Sequence, residues 1–255
     1  FFCSSQSLAF ISIILTITAA KKTVVFCVPG RTFSNNFLQS WTETLSDLVK
    51  SGHFNVLLSN EYSSCVHIAR AKCLGLSVDR GPVQKPWNGE VPYDVLVWID
   101  SDMVFRSRDV LDLIQATEQY PVVSGLYMMD DRQHFCAVEK FDTDYFIKNG
   151  HFEALTATRI NEWTRQTGNP YLPCVFVGLG FCAFRHGILE DPRLRYPYFY
   201  SPVQTIKSGR ADVPEYRDLV SEDASLFHNL IEAGLISSIM VKTNLRVGHE
   251  KSAIL

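Results

Sequence analysis

The first half of the chain alternates between two patterns of apolar residues. Short apolar runs rich in β-branched side chains, such as TVVFCV at residues 23–28, are typical of buried parallel strands. Longer stretches with apolar residues at helical spacing lie between these runs. The resulting β-α-β-α-β-α-β order predicts an α/β fold with a mostly parallel central sheet and helices on both faces. The predicted strands are residues 23–28, 54–58, 93–99 and 121–127, and the predicted helices are residues 37–50, 65–74 and 108–117.

The second half of the chain is less regular. A long segment, residues 191–217, carries four prolines and four tyrosines without clear periodicity, and loops of that length are usually lids or binding loops. No linker or repeat interrupts the pattern, so we expect a single domain over residues 21–255. The predicted elements here are a hairpin-like excursion at 130–140, helices at 152–165, 186–189 and 222–233, and strands at 174–184 and 236–241.

Residues 1–20 carry no charge and include an apolar stretch shorter than the roughly 20 residues that span a bilayer. Three interpretations stay open: a signal-peptide remnant, the end of a membrane anchor, or an extension. Membrane association through this stretch is therefore one possibility, and the location is left open between cytoplasmic and membrane-associated.

Charge and cysteine content narrow the class of function. The net charge of −3 provides no basic field for nucleic acid, so we expect no nucleic-acid partner. The seven cysteines form no CxxC pair, which disfavours a zinc finger or a disulfide framework and favours buried, reduced thiols.

The sequence Asp100-Ser101-Asp102 directly follows the most apolar predicted strand. In open α/β sheets, ligands bind outside the carboxyl ends of the strands. Two carboxylates so close repel each other unless a cation is present, and a hard divalent ion that bridges a diphosphate resolves this. The alternative is an ordinary turn capped by aspartate.

Other candidates each have a structural and a functional interpretation. Ser221-Glu222-Asp223 opens a helix, where it is either a plain cap or a cap that also holds a catalytic carboxylate. His249 follows the last strand and is either a surface residue or a further metal ligand. Gly178 and Gly180 either mark a bulge or allow a ligand close to the backbone. Arg70 either faces solvent or pairs with a nucleotide or an acid of the site.

Taken in order, these stretches resemble the GT-A glycosyltransferases, especially the large inverting family-two group. The matching stretches are VVFCVPGR, HIARAKCLG, VLVWIDSDMVF, VGLGFCAFRHGIL and SEDASLFHNLIEAGL with VGHE downstream. The resemblance implies that Pro29, Gly30, Arg31, Arg70, Asp100, Gly178 and Gly180 border the nucleotide-sugar donor. It also implies that Asp100, Asp102 and His249 hold Mn²⁺ or Mg²⁺. Asp223 would be the general base, with Glu222 the second candidate. Ala71 departs from the pattern, because many relatives carry Asn there.

The implied activity is transfer of a sugar from a UDP- or GDP-linked donor to a hydroxyl of a glycan, protein or lipid acceptor, with inversion at the anomeric carbon. A sugar nucleotidyltransferase is one alternative, although PGRTFSNN offers a single glycine and a single basic residue for a phosphate loop. A catalytically inactive sugar-binding relative is another. A metal-dependent phosphohydrolase would need more clustered His and Asp than this chain has.

Overall fold

A computed structural model describes residues 20–207 and 215–250. The fold is α/β, with a seven-stranded central sheet in the order β2-β1-β3-β10-β5-β13-β8 and six helices in the described residues. The strands are β1 Lys22–Pro29, β2 Phe54–Glu61, β3 Val95–Ile99, β4 Met103–Val104, β5 Val122–Leu126, β6 His134–Val138, β7 Ala154–Thr156, β8 Tyr171–Cys174, β9 Phe176–Val177, β10 Phe181–Arg185, β11 Val203–Ile206, β12 Tyr216–Leu219, β13 Ile239–Arg246 and β14 Gly248–His249. The helices are α1 Asn35–Ser51, α2 Val66–Cys73, α3 Ser107–Ala116, α4 Thr143–Asn149, α5 Ala157–Thr167 and α6 Glu222–Glu232.

The predicted α/β class and its parallel strands are confirmed. Strands β2, β1 and β3 pair in parallel, as do β5 and β13. Strand β10 lies between β3 and β5 and is antiparallel to both, so β5 runs in the same direction as β3. Strand β8 closes one edge antiparallel to β13. The sheet is therefore mixed, with its two antiparallel strands drawn from the second half of the chain.

Two buried clusters cover the two faces of the sheet. All five residues of β3 are buried, as expected for a strand with helices on both sides. On one face, α1 and α3 pack together against the sheet, and Phe37 and Leu48 supply the buried side of α1. Ser34 caps the start of α1, and its hydroxyl accepts the Phe37 N–H.

The second half differs from prediction in several places. Helix α4 was not predicted, and the predicted helix at 152–165 is a short strand β7 followed by α5. The predicted helix at 186–189 is a turn, because Gly187 adopts φ +94° and its N–H donates to the Glu190 carboxylate at 2.8 Å. The long segment at 191–217 contains strand β11, which pairs with β12, a strand that begins at the end of that segment.

A second, three-stranded sheet, β7-β6-β9, stands beside the central sheet. The six cysteines of the described residues are free thiols, and Cys65 is exposed. Among the helices that the structure describes, none is both long and apolar enough to cross a membrane. The expectations for residues 1–19 and for Cys3 fall outside the described ranges.

Candidate active site

Three chain segments meet at the carboxyl edge of β3. Asp100 follows β3 directly, and its N–H donates to the Gly180 carbonyl at 3.0 Å. That contact arises because β10 is antiparallel to β3, so the start of β10 lies at the end of β3. Strand β13 runs parallel to β5 and ends at the same edge, where the chain turns back and His249 pairs with Met103. Residues far apart in sequence are thereby brought to one place.

Arg70 is the centre of a buried charge cluster. Its Nη1 and Nη2 donate to the two oxygens of Asp100 at 3.0 and 3.2 Å. Its Nε donates to Glu222 Oε1 at 3.2 Å and lies 3.3 Å from Asp223 Oδ1. Arg70 is only 2% exposed, so one desolvated guanidinium faces three carboxylates. The sequence left open whether Arg70 faces solvent, and the structure pairs it with the acids.

The pKa values of Glu222 and Asp223 shift in opposite directions. Burial raises the pKa of Asp223 to about 8; Arg70 opposes this shift, and the neighbouring Glu222 carboxylate adds to it. Burial also acts to raise the pKa of Glu222, but its contacts with Asp223 and Arg70 outweigh that effect and lower it. Of the two acids, Asp223 therefore holds a proton more readily than Glu222.

Helix α6 fixes the position of Asp223. Ser221 caps the helix, and its hydroxyl accepts the Ala224 N–H. The Leu179 N–H donates to Asp223 Oδ2 at 3.1 Å. Asp223 Oδ1 is buried without a hydrogen-bond partner among the described residues. Ser221 thus performs the predicted capping role, while the adjacent acids turn towards Arg70.

Asp102 and His249 form a second, separate contact. Oδ2 of Asp102 lies 3.2 Å from Nε2 of His249, and Nδ1 of His249 lies 2.8 Å from the Met128 carbonyl. Because a carbonyl only accepts, Nδ1 carries the hydrogen, and in neutral imidazole the Nε2 lone pair then faces the carboxylate. A carbonyl-oriented imidazole beside a carboxylate is the arrangement found at metal-binding histidines.

Asp102 and His249 together offer two ligands for a divalent ion, and Asp100 does not join them. Within residues 20–207 and 215–250, no group of three or more His, Cys, Asp or Glu side chains is arranged to hold a metal. Asp100, predicted as a further ligand, directs both oxygens to Arg70. Asp102 and His249 offer the carboxylate and imidazole ligands that suit Mn²⁺. Other ligands of such an ion would come from substrate oxygens or water, as is common for Mg²⁺ at phosphate sites.

The loop after β1 packs directly on the Asp100–Asp102 turn. Gly30 has φ +145°, and a Cβ there would lie 2.8 Å from the Ser101 hydroxyl. Asn60 Nδ2 holds this loop by donating to the Val28 and Gly30 carbonyls at 2.7 and 2.8 Å. The guanidinium of Arg31 lies 4.6 Å above the Tyr62 ring. Pro29, Gly30 and Arg31 therefore stand beside the acids, and their contact with a donor stays a prediction.

Gly178 and Gly180 have a packing role in the structure. A Cβ at Gly178 would collide with the Tyr127 hydroxyl, and a Cβ at Gly180 would lie 2.8 Å from Met103 Cε. The Gly180 N–H donates to the Tyr127 hydroxyl at 3.3 Å. The glycines therefore admit Tyr127 beneath the site. Whether they also border a donor sugar stays a prediction.

Three further residues of the site were missed by sequence reasoning. Tyr127 lies under the glycines, with its ring centre 5.1 Å from that of His249. Asn60 holds the loop after β1. The Glu250 carboxylate accepts from Ser34 and Asn36, and its N–H donates to the Asp102 carbonyl at 2.8 Å. The VGHE stretch was the signal available for Glu250, whereas no sequence pattern marked Tyr127 or Asn60.

Comparison with known proteins identifies similar folds. No family model and no curated protein matches the chain. One similar structure is glucosyl-3-phosphoglycerate synthase from Mycobacterium tuberculosis, solved with Mn²⁺, UDP and phosphoglyceric acid, with 14% identity, a TM-score of 0.43, and coverage of 92% of this chain and 72% of that one. Another is GalNAc-T7, solved with UDP, GalNAc and Mn²⁺, with 12% identity, a TM-score of 0.48, and coverage of 91% of this chain and 43% of that one. At such identities the likeness concerns the fold alone, and function is inferred from the site.

Proposed function

We propose that this chain is a metal-dependent glycosyltransferase that moves a sugar from a nucleotide-diphosphate donor to a hydroxyl acceptor with inversion. One observation carries the proposal. A buried carboxylate with its pKa raised to about 8, Asp223, shares a sheet edge with the Asp102–His249 pair. A base poised near neutral pH and a pair of cation ligands are the two groups that this reaction requires.

Asp223 is proposed as the general base. In its ionised form it accepts the proton of the acceptor hydroxyl while the hydroxyl oxygen bonds to the anomeric carbon. The bond from that carbon to the diphosphate oxygen breaks, and the proton ends on Asp223. The Leu179 N–H, at 3.1 Å from Oδ2, holds one oxygen of Asp223 in place. Attack from the face opposite the leaving group gives inversion.

Arg70 and Glu222 are proposed to set the pKa of Asp223 and the arrangement of the acids around it. The guanidinium holds Asp100 and Glu222 in fixed positions, and the Glu222 charge favours the protonated state of its neighbour. Glu222 itself has a lowered pKa and is therefore the weaker base, which favours Asp223 of the two predicted candidates.

The donor is proposed to bind along the loop after β1, with Pro29, Gly30 and Arg31 beside its base and ribose. Asp102 and His249 would hold Mn²⁺ or Mg²⁺. When bound, the ion would offset the charge that develops on the departing diphosphate. The UDP or GDP choice follows from contacts along this loop, which a donor panel can resolve.

The proposal is tested by incubating the full chain with a panel of UDP-, GDP- and TDP-sugars, with and without Mn²⁺, and detecting hydrolysis or transfer by mass. We expect turnover with one nucleotide class and its loss on chelation. Asp102→Asn should abolish metal-dependent turnover and leave the thermal unfolding midpoint near that of the parent protein.

Two results would overturn the proposal. One is a panel in which no nucleotide-sugar is bound or turned over, which would favour an inactive relative. The other is transfer that persists in both Asp102→Asn and Asp223→Asn. A product whose NMR spectrum shows a retained anomer would remove the inverting mechanism while leaving glycosyl transfer in place.

A further inference from the structure

A cavity of about 740 Å³ lies beside the first turns of α6. One wall is the small sheet β7-β6-β9, and another is formed by the paired strands β11 and β12. A third wall is α4 with the turn that follows it. The volume lies within the roughly 300–1,000 Å³ typical of small-molecule sites. Arg70, Asp102, Asp223 and His249 are not among the residues that line it.

The cavity lining is dominated by rings and aliphatic groups. Phe141, Phe146, Phe152 and Phe176 line it together with Val138 and Val203. Phe152 packs against both Phe141 and Phe146 with ring centres 4.9 Å apart. Such a surface favours tilted or edge-to-face contacts with another ring.

Several polar groups of the lining are already used within the protein. Nδ1 of His134 lies within hydrogen-bond distance of Oδ2 of Asp131, at 2.6 Å. The Ser225 hydroxyl donates to the Glu222 carbonyl at 2.7 Å, and the Ser221 hydroxyl caps α6. A glycan would bring many hydroxyls against apolar walls, at roughly 1–3 kcal/mol for each one left without a partner. A ligand with an apolar body avoids that cost.

The cavity and the proposed base share the first turn of α6. It is lined by Ser221, Ala224, Ser225 and His228, which form one face of α6, and Glu222 and Asp223 occupy the neighbouring faces at the same helix end. Cys136 also lines it, and a Cβ at Gly178 would lie 2.7 Å from the Cys136 sulfur. An acceptor body along this face of α6 would bring a terminal hydroxyl to the first turn, where the base stands.

We infer that this cavity is the acceptor site and that the acceptor is an alcohol or phenol with an apolar, ring-containing body. This inference rests on the proposed glycosyl transfer. The bond that forms joins the hydroxyl oxygen of the ring compound to the anomeric carbon, the diphosphate leaves, and the hydroxyl proton passes to Asp223. The rings of the lining bind the body, while the carboxylate at the start of α6 meets its hydroxyl.

The first test is direct binding of 2-naphthol to the full chain, followed by its own fluorescence, without any donor. We expect saturable binding with a Kd of roughly 10–100 µM. Val203→Asp places a charge in the apolar wall and should weaken binding at least about tenfold. Phe141→Ala, which removes one ring, should weaken it by roughly threefold to tenfold. The matched control is Val83→Asp, since Val83 is 52% exposed outside the cavity and Val203 is 55% exposed.

The second test compares transfer to 2-naphthol, to the prenyl alcohol geraniol and to lactose, using the donor found in the panel. We expect the highest kcat/KM with 2-naphthol and a raised KM for it in Val203→Asp. Failure to bind 2-naphthol, equal binding by Val203→Asp, or a higher kcat/KM with geraniol or lactose would overturn the inference. Those outcomes leave glycosyl transfer intact, whereas absence of donor binding and turnover is the separate failure of the proposed function.

Discussion

Two groups of charged or polar side chains stand at the same edge of the sheet. They differ in the partner that their carboxylates contact. Asp100, Glu222 and Asp223 surround Arg70, a guanidinium that is 2% exposed and remains charged at any ordinary pH. The Asp102 side chain is 39% exposed and contacts His249, whose imidazole is a common metal ligand. In the first group the cation is Arg70, which is part of the fold. In the second group the partner is His249, an imidazole that can bind a metal ion.

The difference assigns separate tasks to acids that lie close in sequence. A carboxylate held by a buried guanidinium keeps its position, so the Arg70 cluster suits a base that must be fixed in space. A carboxylate beside an oriented imidazole suits a cation that arrives with its substrate.

Arg70→Met removes the cation from three carboxylates in a buried setting. Loss of one partner from a buried ion pair typically costs about 3–5 kcal/mol, so we expect a loss of this order in the free energy of unfolding. Without Arg70 the folded-state pKa of Asp223, which is already raised, should rise further above its unfolded value. Stability then falls as pH rises between them, and the deficit should be smaller near pH 6 than near pH 8.

Urea unfolding at both pH values measures this effect. The matched control is Arg106→Met, since the Arg106 side chain is 71% exposed and its ion pair with Asp109 spans 2.9 Å. We expect little change in the control. Equal stability of Arg70→Met and the parent protein would show that the cluster does not depend on its cation.

Asp223→Asn separates catalysis from stability. We expect kcat to fall roughly 10²–10⁴-fold, the usual contribution of a general base. The amide is close in shape to the protonated carboxyl that the fold holds near neutral pH, so the free energy of unfolding should be retained. Asp47→Asn, on the exposed surface of α1, is the control. A variant with parental kcat would remove Asp223 from the mechanism.

The pH dependence of the same residue has a definite sign. The pKa of Asp223 is raised from 3.8 to about 8, so the folded state binds this proton more tightly than the unfolded state. Its contribution to stability is present below pH 3.8 and is lost as pH rises to about 8. Activity should show the opposite trend and rise towards pH 8, because the base must be ionised. In Asp223→Asn, this residue's share of both slopes should vanish.

His249→Gln tests the second group of acids. Replacing the imidazole should weaken Mn²⁺ binding roughly 10–100-fold, measured by calorimetry in the presence of nucleoside diphosphate. His186→Gln is the control, because His186 is exposed and packs on Tyr93 with ring centres 5.1 Å apart. Unchanged Mn²⁺ affinity in His249→Gln would place the ion elsewhere.

The burial of the strands explains what the sequence could and could not predict about the fold. Strands β1, β3 and β5 are buried almost throughout, so each appears as an uninterrupted apolar run. The direction of β10 has no such signal, because the apolar run of a buried strand is the same whether the strand is parallel or antiparallel to its neighbours. Helix α4 was missed although Asp142 caps its start and Gly150, at φ +79°, ends it; seven residues were too few to establish a periodicity.

For the site, the sequence predicted the acids that lie near the end of β3. It did not predict which of them contact Arg70 and which contacts His249. The positions of Asp100 and Asp102 at the end of β3 follow from the apolar run before them. That Asp100 meets Arg70 depends on where α2 lies over the sheet, which is a matter of tertiary packing. The contact of His249 with Asp102 likewise depends on the pairing of β14 with β4, two strands of two residues each.

The loop after β1 packs against Ser101, and changes in this loop should have smaller effects. Gly30→Ala must hold φ near +145° and place a Cβ 2.8 Å from the Ser101 hydroxyl. Gly81→Ala is a matched control for the backbone, because Gly81 has φ +77° and a Cβ there meets nothing within 4 Å. Both variants should lose about 1–2 kcal/mol of stability from the strained backbone. Only Gly30→Ala should also weaken donor binding, by roughly threefold to tenfold, because Ser101 joins Asp100 to Asp102 and its displacement disturbs both groups of acids. Adding Ser101→Gly to Gly30→Ala should recover part of that affinity, as measured by calorimetry with the donor nucleotide. Equal donor affinity in Gly30→Ala and Gly81→Ala would show that the loop and the acids act independently.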